Sequence, residues 1–450
     1  MKDPQGRPTQ TTIVAISALL CVCVATISAQ TTVEPITLNE QSAVQLALTE
    51  NLNLAQQRVT LSSSARSSDT AWNALLPSLN VSGSLIRNNE EVVVPFGEPY
   101  NEVFSAQLQA QLVFSIASIE GIETARLNYA ADLISFDEAA ATISTDVRKL
   151  FYNLILLEQQ ILVAQQGIAT ASQTLAQTEA EFRGGLVAEV TVRQAEVALQ
   201  NSRLVLQRQE AAYEDLLGSF RLLLGVEDEQ EIELQGTIEV PAVADLERIA
   251  ASTDPTDRWD VQVLDAQIAA RRSLNRANRQ FERTPTVTLG ASYSPALADP
   301  FNPDNSVNND WSEWNDGGSL SVTVTVPLDH YLPFSGSAVD LRNSDEALES
   351  LAIQRQSALD AARSQTAALL RQVDNSRAAL ESLSLSLELA DEIYQLTLDA
   401  YQQGATDFLD VQEADDDLEA ARYDLLAEQF TYLSTLIDLE YALNTPIRAR

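Results

Sequence analysis

One helix–turn–helix passage is written twice in this chain, about 220 residues apart, and any fold must use both copies as equivalent units. In the first, Phe182, Gly185, Val192, Ala195, Leu199 and Arg203 mark the pattern; in the second, Tyr401, Gly404, Val411, Ala414, Leu418 and Arg422 fall in the same register. Each copy sits where one long helical pattern ends and another begins. Such a repeat makes the chain one architectural unit used twice, a conduit or scaffold rather than an enzyme.

Composition narrows the choice. The chain has 450 residues, a formal charge of −36 and a single histidine, His330. So acidic a chain is a poor partner for nucleic acid or anionic lipid. No His/Asp/Glu group has metal-ligand spacing, no catalytic constellation is present, and no cofactor is expected. Residues 1–29 read as a secretory signal: Lys2 and Arg7 precede the apolar run Thr12 to Ile27, and Ser28-Ala29 offers a small-residue cleavage site. Both cysteines, Cys21 and Cys23, fall inside this leader, so cleavage leaves a chain without thiol chemistry or disulfides. Acylation of one of them is the competing reading. No other segment reaches the roughly 20 apolar residues of a membrane helix.

The pattern along the chain alternates between two periods. A helical stretch over 38–73 stops at Leu76-Pro77. Period-2 strands follow near 78–86 and 103–114, with Leu79, Val81 and Leu85, then Phe104, Ala106, Leu108, Ala110, Leu112 and Phe114, on one face. Residues 87–101 read as a loop between them. From about 119 to 182 an unbroken 4-3 spacing runs through Ile143, Val147, Leu150, Leu154, Leu157, Ile161, Ala164, Ile168, Ala171 and Leu175, a coiled-coil seam. The chain reverses near 183–187 and a helix returns to Leu224. The second half repeats the plan: a helix to Thr284-Pro285, strands near 285–294 and 319–327, a helix over 337–402 with seam residues Leu369, Val373, Leu380, Leu383, Leu387, Ala390 and Tyr394, a turn near 402–406, and a return to Asn444. The two repeats divide as 30–240 and 241–450.

Four strands of about ten residues with one apolar face suit a membrane β-barrel wall. Lipid leaves no partner for an open sheet edge, so the sheet must close, and four strands are too few. Two copies give a narrow barrel; three give twelve strands and room for a pore. The expected class is therefore an α+β membrane protein, a trimeric twelve-stranded barrel continued by a long helical coiled-coil tunnel. A soluble β-sandwich with an appended coiled coil, or a periplasmic adaptor or structural coiled-coil protein without a pore, are the alternatives.

The doubled helix–strand–loop–strand–helix order, the Pro77 and Pro285 strand entries and the paired turns together resemble the outer-membrane efflux protein (TolC-like) family over about residues 36–444. The resemblance implies a homotrimer in the outer membrane of a Gram-negative-type bacterium, with helices crossing the periplasm. It implies a passive exit duct for drug or metal efflux or type I protein secretion, fed by an inner-membrane transporter through a periplasmic adaptor. By the same resemblance the turns Gly185-Leu186-Val187 and Gly404-Ala405-Thr406 dock the adaptor, and Tyr401 matches a gate tyrosine. Asp407, Asp410 and Glu413, repeated threefold, would ring the constriction and favour cations. Thr406 stands where the family often has a basic residue. The run Asp415-Asp416-Asp417 reads as a solvated helix face, the segment Asp299 to Gly318 with Trp311 and Trp314 as an exterior loop, and His330 as structural. The cargo and the particular pump are not legible.

Overall fold

In the computed structural model, residues 35–93, 99–228, 230–241, 246–298, 300 and 316–447 are described. The leader with Cys21 and Cys23, most of the expected exterior loop including Trp311 and Trp314, and the side chain of His330 lie outside the described residues. The described residues open with β1 (Ile36–Leu38), α1 (Glu40–Glu50) and α2 (Leu52–Asp69). The hairpin β2 (Ser78–Val92) and β3 (Tyr100–Phe114) leads into α3 (Ile116–Arg183), which spans 68 residues, and α4 (Glu189–Leu224). At ~1.5 Å per residue, α3 is a rod of roughly 100 Å. After β4 (Ile232–Leu234) and α5 (Leu246–Ser252), the order recurs: α6 (Trp259–Arg283), β5 (Thr286–Tyr293), the short β6 (Ala296–Ala298), β7 (Gly318–Thr325), α7 (Gly336–Gln402) and α8 (Phe408–Leu443).

The sheet runs β2-β3-β5-β7, antiparallel throughout, with β6 paired to β3. Its register is set by side-chain alternation. Leu79 faces Ala110, Val81 faces Leu108 and Leu85 faces Phe104. Across the next seam Ala110 faces Ala291, Leu112 faces Leu289 and Phe114 faces Val287, and beyond it Leu289 faces Val322 and Ala291 faces Leu320. One face is thus apolar across all four strands. Asn80–Gln109, Ser82–Gln107 and Thr288–Thr323 pair on the other. A slip of one residue would exchange the faces. The apolar face is bare: Val81 is 78% and Leu320 83% exposed. The outer edges of β2 and β7 carry no partner strand within the described chain.

The structure departs from the sequence reading in three places. β2 and β3 run further into the expected 87–101 loop, because the ladder continues past Arg87, whose guanidinium meets Glu102 across the strands at 3.5 Å. The expected 38–73 helix breaks at Asn51, whose side chain accepts from Leu54 N–H and donates to Leu223 C=O at 2.7 Å. The parallel pair β1–β4 was not foreseen, since three residues are too short to show a period.

All residues of the α3 seam are buried or half-buried, and around its middle Phe151, Leu154, Ile155 and Leu156 are all buried. There α1, α4 and α8 enclose α3 together with the β1–β4 pair. Arg148 locks this belt: Nε donates to Glu40 at 2.7 Å and Nη2 to Glu440 at 2.5 Å, while Tyr152 O–H donates to the other Glu40 oxygen at 2.7 Å. Glu440 is only 8% exposed, so removing Arg148 would strand a buried carboxylate. Gly225 ends α4 at φ +75°, and a Cβ there would collide with the Glu50–Asn51 backbone. Gly225→Ala is therefore expected to cost at least the ~1–2 kcal/mol of left-handed strain, and more through the collision. Thermal unfolding followed by circular dichroism should show a clearly lower midpoint; an unchanged midpoint would mean the α1–α4 junction yields freely.

Candidate functional site: the paired hairpin tips

The two helical hairpins end side by side, and their turns close identically. In the first, Gly185 N–H donates to Phe182 C=O and Leu186 N–H to Glu181 C=O, both at 2.9 Å. In the second, Gly404 N–H donates to Tyr401 C=O at 2.9 Å and Ala405 N–H to Ala400 C=O at 2.8 Å. This pair of bonds satisfies the last helical carbonyls and demands a left-handed residue. Gly185 has φ +74° and Gly404 φ +73°, so glycine at both positions is a backbone requirement.

The re-entry into the return helices differs. Asp407 caps α8, its Oδ1 accepting from Leu409 N–H at 2.9 Å and Asp410 N–H at 3.2 Å. Ala188 opens α4 with no side-chain cap. Thr406 Oγ1 donates to the Asp410 carboxylate. Tyr401 joins the hairpins: its O–H donates to Glu181 Oε2 of α3 at 2.8 Å, and its ring meets Phe408 edge-on with centroids 6.3 Å apart. Burial and the Glu181 carboxylate push the Tyr401 phenol up to about 12, so it remains a donor at any ordinary pH.

Of the residues singled out in the sequence, Leu186, Val187, Tyr401, Gly404, Thr406 and Asp407 line one cavity of about 690 Å³ at the tips, with Glu181 and the buried Phe408. Gly185 and Ala405 lie in the exposed turns beside it. Asp410 and Glu413 are exposed on the first turns of α8 and do not line this cavity. Glu181 went unseen because its partner lies on a different helix.

The acidic run also needs correction. Asp417 is exposed, but Asp415 turns inward with Glu419, beside the core row Val411, Ala414, Leu418. The two carboxylates line a cavity of about 120 Å³ between α3, α4, α7 and α8, with Thr170, Asn201 and Tyr394. Gly167 of α3 makes room for Glu419; any side chain there would meet its carboxylate. The i, i+4 spacing of Asp415 and Glu419 beside the core row was the available signal. Burial first, then neighbouring Asp416, raises the Asp415 carboxyl to about 6, and burial with Asp415 and Asp416 raises Glu419 to about 7, Arg422 opposing both. Tyr394 faces the pair from α7 as a phenol. Among the described residues no group of His, Cys, Asp and Glu is placed to hold a metal, and no helix is long and apolar enough to cross a membrane.

With this geometry in view, the comparisons with known proteins are specific. Residues 43–226 match the model of the outer membrane efflux protein family. The nodulation protein T of Rhizobium leguminosarum bv. trifolii is 22% identical over 408 residues, covering 85% of this chain and 80% of that protein. The outer membrane protein VceC of Vibrio cholerae superposes with a TM-score of 0.71 at 17% identity, over 91% of this chain and 96% of its own. The outer membrane channel CmeC of Campylobacter jejuni gives 0.73 at 15% identity, over 90% and 85%. Residues 43–226 are thus similar to the outer membrane efflux proteins, as the residues suggested, and the chain has the fold of these solved channels.

Because Asp415 and Glu419 hold their protons more tightly folded than unfolded, their contribution to stability is present at low pH. It fades as pH rises from the ordinary carboxylate range, about 4.5, towards the 7 of Glu419. Amide exchange in α8 around Leu418 should therefore quicken between pH 5 and 8 beyond its intrinsic rise, and Glu419→Gln should reduce the excess to the share of Asp415. An equal excess in the variant would place its cause elsewhere.

Proposed function

We propose that the chain is the outer-membrane exit duct of a tripartite efflux or type I secretion system, passively conducting cargo received from an inner-membrane transporter and a periplasmic adaptor. The observation that carries this reading is the sheet, with an apolar face bare along four strands and an unpaired edge at each side. A bare apolar face of this size is unfavourable in water, and lipid accepts the face only if the edges close. Three copies supply twelve strands, with the Ser/Thr/Gln/Asn face lining the pore.

The helical wall supports the same closure. Its edge helix α7 leaves Leu385, Leu389, Ile393 and Leu396 exposed at helical spacing, suited to the edge of a neighbouring copy. A pore-free coiled-coil protein explains neither this stripe nor the sheet. The repeats 30–240 and 241–450 descend from one duplicated unit in this reading, which accounts for the identical turns at Gly185 and Gly404.

The tips are the periplasmic gate. Tyr401–Glu181 ties the two hairpins of one copy, and parting the hairpins breaks that bond. Asp407, Asp410 and Glu413, tripled around the axis, make the constriction cation-selective. Gly185-Leu186-Val187 and Gly404-Ala405-Thr406 present the rim to the adaptor.

Planar-bilayer recordings of the purified chain should show discrete cation-selective steps that divalent cations suppress. Tyr401→Phe should raise the open probability. Asp410→Ala with Glu413→Ala should lower cation preference and relieve divalent block. Steps with unchanged selectivity in the double variant would move the filter elsewhere; silence in every variant, with no trimer on cross-linking, would overturn the duct.

A further inference from the structure

A second cavity of about 630 Å³ lies near the barrel end of the helices, and its lining is unlike the acidic tip. Helices α2, α3, α6 and α7 pack side by side in that order. Residues from all four, Ser63 of α2, Asn128 of α3, Arg271 of α6 and Leu351 of α7 among them, line this one cavity. In a curved wall the first and fourth helices can share a cavity only on the concave face. The cavity therefore opens toward the interior of the tunnel, a placement that rests on the duct reading.

Arg271 is the anomaly there. Its Nε is buried with no hydrogen-bond partner. Buried polar atoms are nearly always satisfied, and one that is not calls for a cause such as a ligand. The chain has 64 acidic and 28 basic residues, so an arginine without a carboxylate is not for want of acids. Two other arginines on α6 are paired, Arg276 with Glu120 at 3.1 Å and Arg279 with Asp345 at 2.5 Å, and Arg272 is exposed to water; Arg271 alone of these combines a buried Nε with no partner. Asp132 of α3 lines the same cavity, yet no ion pair joins it to Arg271. The hydroxyls of Thr60, Ser63 and Ser67 form the α2 side.

We propose that this cavity binds a small zwitterion. The planar guanidinium takes its carboxylate in a forked pair of bonds, Asp132 takes its ammonium, and the hydroxyls of Ser63 and Ser64, which are not engaged with the helix backbone as those of Thr60 and Ser67 are, donate to the remaining oxygen lone pairs. Two opposite charges held apart in one cavity are bridged best by a ligand carrying both. An anion alone meets Asp132, and a cation alone meets Arg271. In the assembled duct each wall would carry one such station, letting zwitterionic cargo dwell in a passage whose overall charge repels simple anions.

The test titrates ¹³C-glycine against the purified full-length protein and follows line broadening by NMR, with acetate and methylammonium as single-charge probes. Saturable broadening by glycine is expected, at least tenfold weaker with Arg271→Gln and with Asp132→Asn, and unchanged with Arg272→Gln, an exposed neighbour. Arg271→Lys, which keeps the charge and loses the fork, should fall between. Circular dichroism of each variant guards against misfolding. Absence of saturable glycine broadening, equal affinity in wild type and Arg271→Gln, or acetate binding as well as glycine would each overturn the proposal. Bilayer recordings on the same preparation separate the two readings: conduction without glycine binding removes the station alone, and glycine binding without conduction removes the duct alone.

Discussion

The constraint on which the rest depends is that a sheet edge in hydrocarbon has nothing to bond to. Four strands expose a row of apolar side chains on one face and leave β2 and β7 with free N–H and C=O groups along their outer edges. Each unsatisfied group costs several kcal/mol in lipid, so the cost rises with every residue of edge. In the proposed duct, closure by further copies would remove all of it at once. The helices follow from the strands: each leaves a helix or feeds one within a few residues, so closing the proposed barrel would also arrange the helices as a ring.

Legibility in the sequence tracked how local each signal was. The alternation of Leu79, Val81 and Leu85, or of Phe104 to Phe114, needs only neighbours, and it set both the strands and their faces. The α3 seam from Ile143 to Leu175 was equally plain, because every helical turn repeats it. What the sequence concealed depends on distant partners. Asn51 breaks a helix because it reaches Leu223, and Glu181 matters because Tyr401 lies beside it, 220 residues away in the chain. Asp415 looked like one more solvated acid in a run of three; only the opposing Gly167 and Ala198 surfaces around Glu419 and itself turn it inward.

The glycines at the tips illustrate how one local requirement can carry a global one. A single left-handed residue ends each outgoing helix, and the two bonds it permits are the same in both copies. Two hairpins built on the same closing geometry reach the same level, which lets Tyr401 of one meet Glu181 of the other. The asymmetry then lies in the side chains alone: Asp407 caps the second return helix, while Ala188 leaves the first uncapped. A helix N-terminus without a side-chain cap lacks about 1 kcal/mol of local stabilisation, so the first tip frays more readily than the second.

Charge is distributed against packing in a way that favours motion at this end. Around the middle of α3, opposite charges are matched: Arg148 meets Glu40 and Glu440, and Lys149 meets Asp438. Toward the tip the carboxylates of Asp415 and Glu419 are enclosed with only Arg422 near, and that arginine also reaches Asp391 at 3.8 Å. Burial and the neighbouring acids raise both carboxyls toward neutral pH, so as they ionise the crowded charges increasingly oppose close packing. The matched belt therefore holds the helices at one fixed level, while the unmatched segment below it resists tight closure. A rod roughly 100 Å long needs little bending at such a fulcrum to move its end, and Tyr401 and Glu181 join the two hairpins there by a single hydrogen bond.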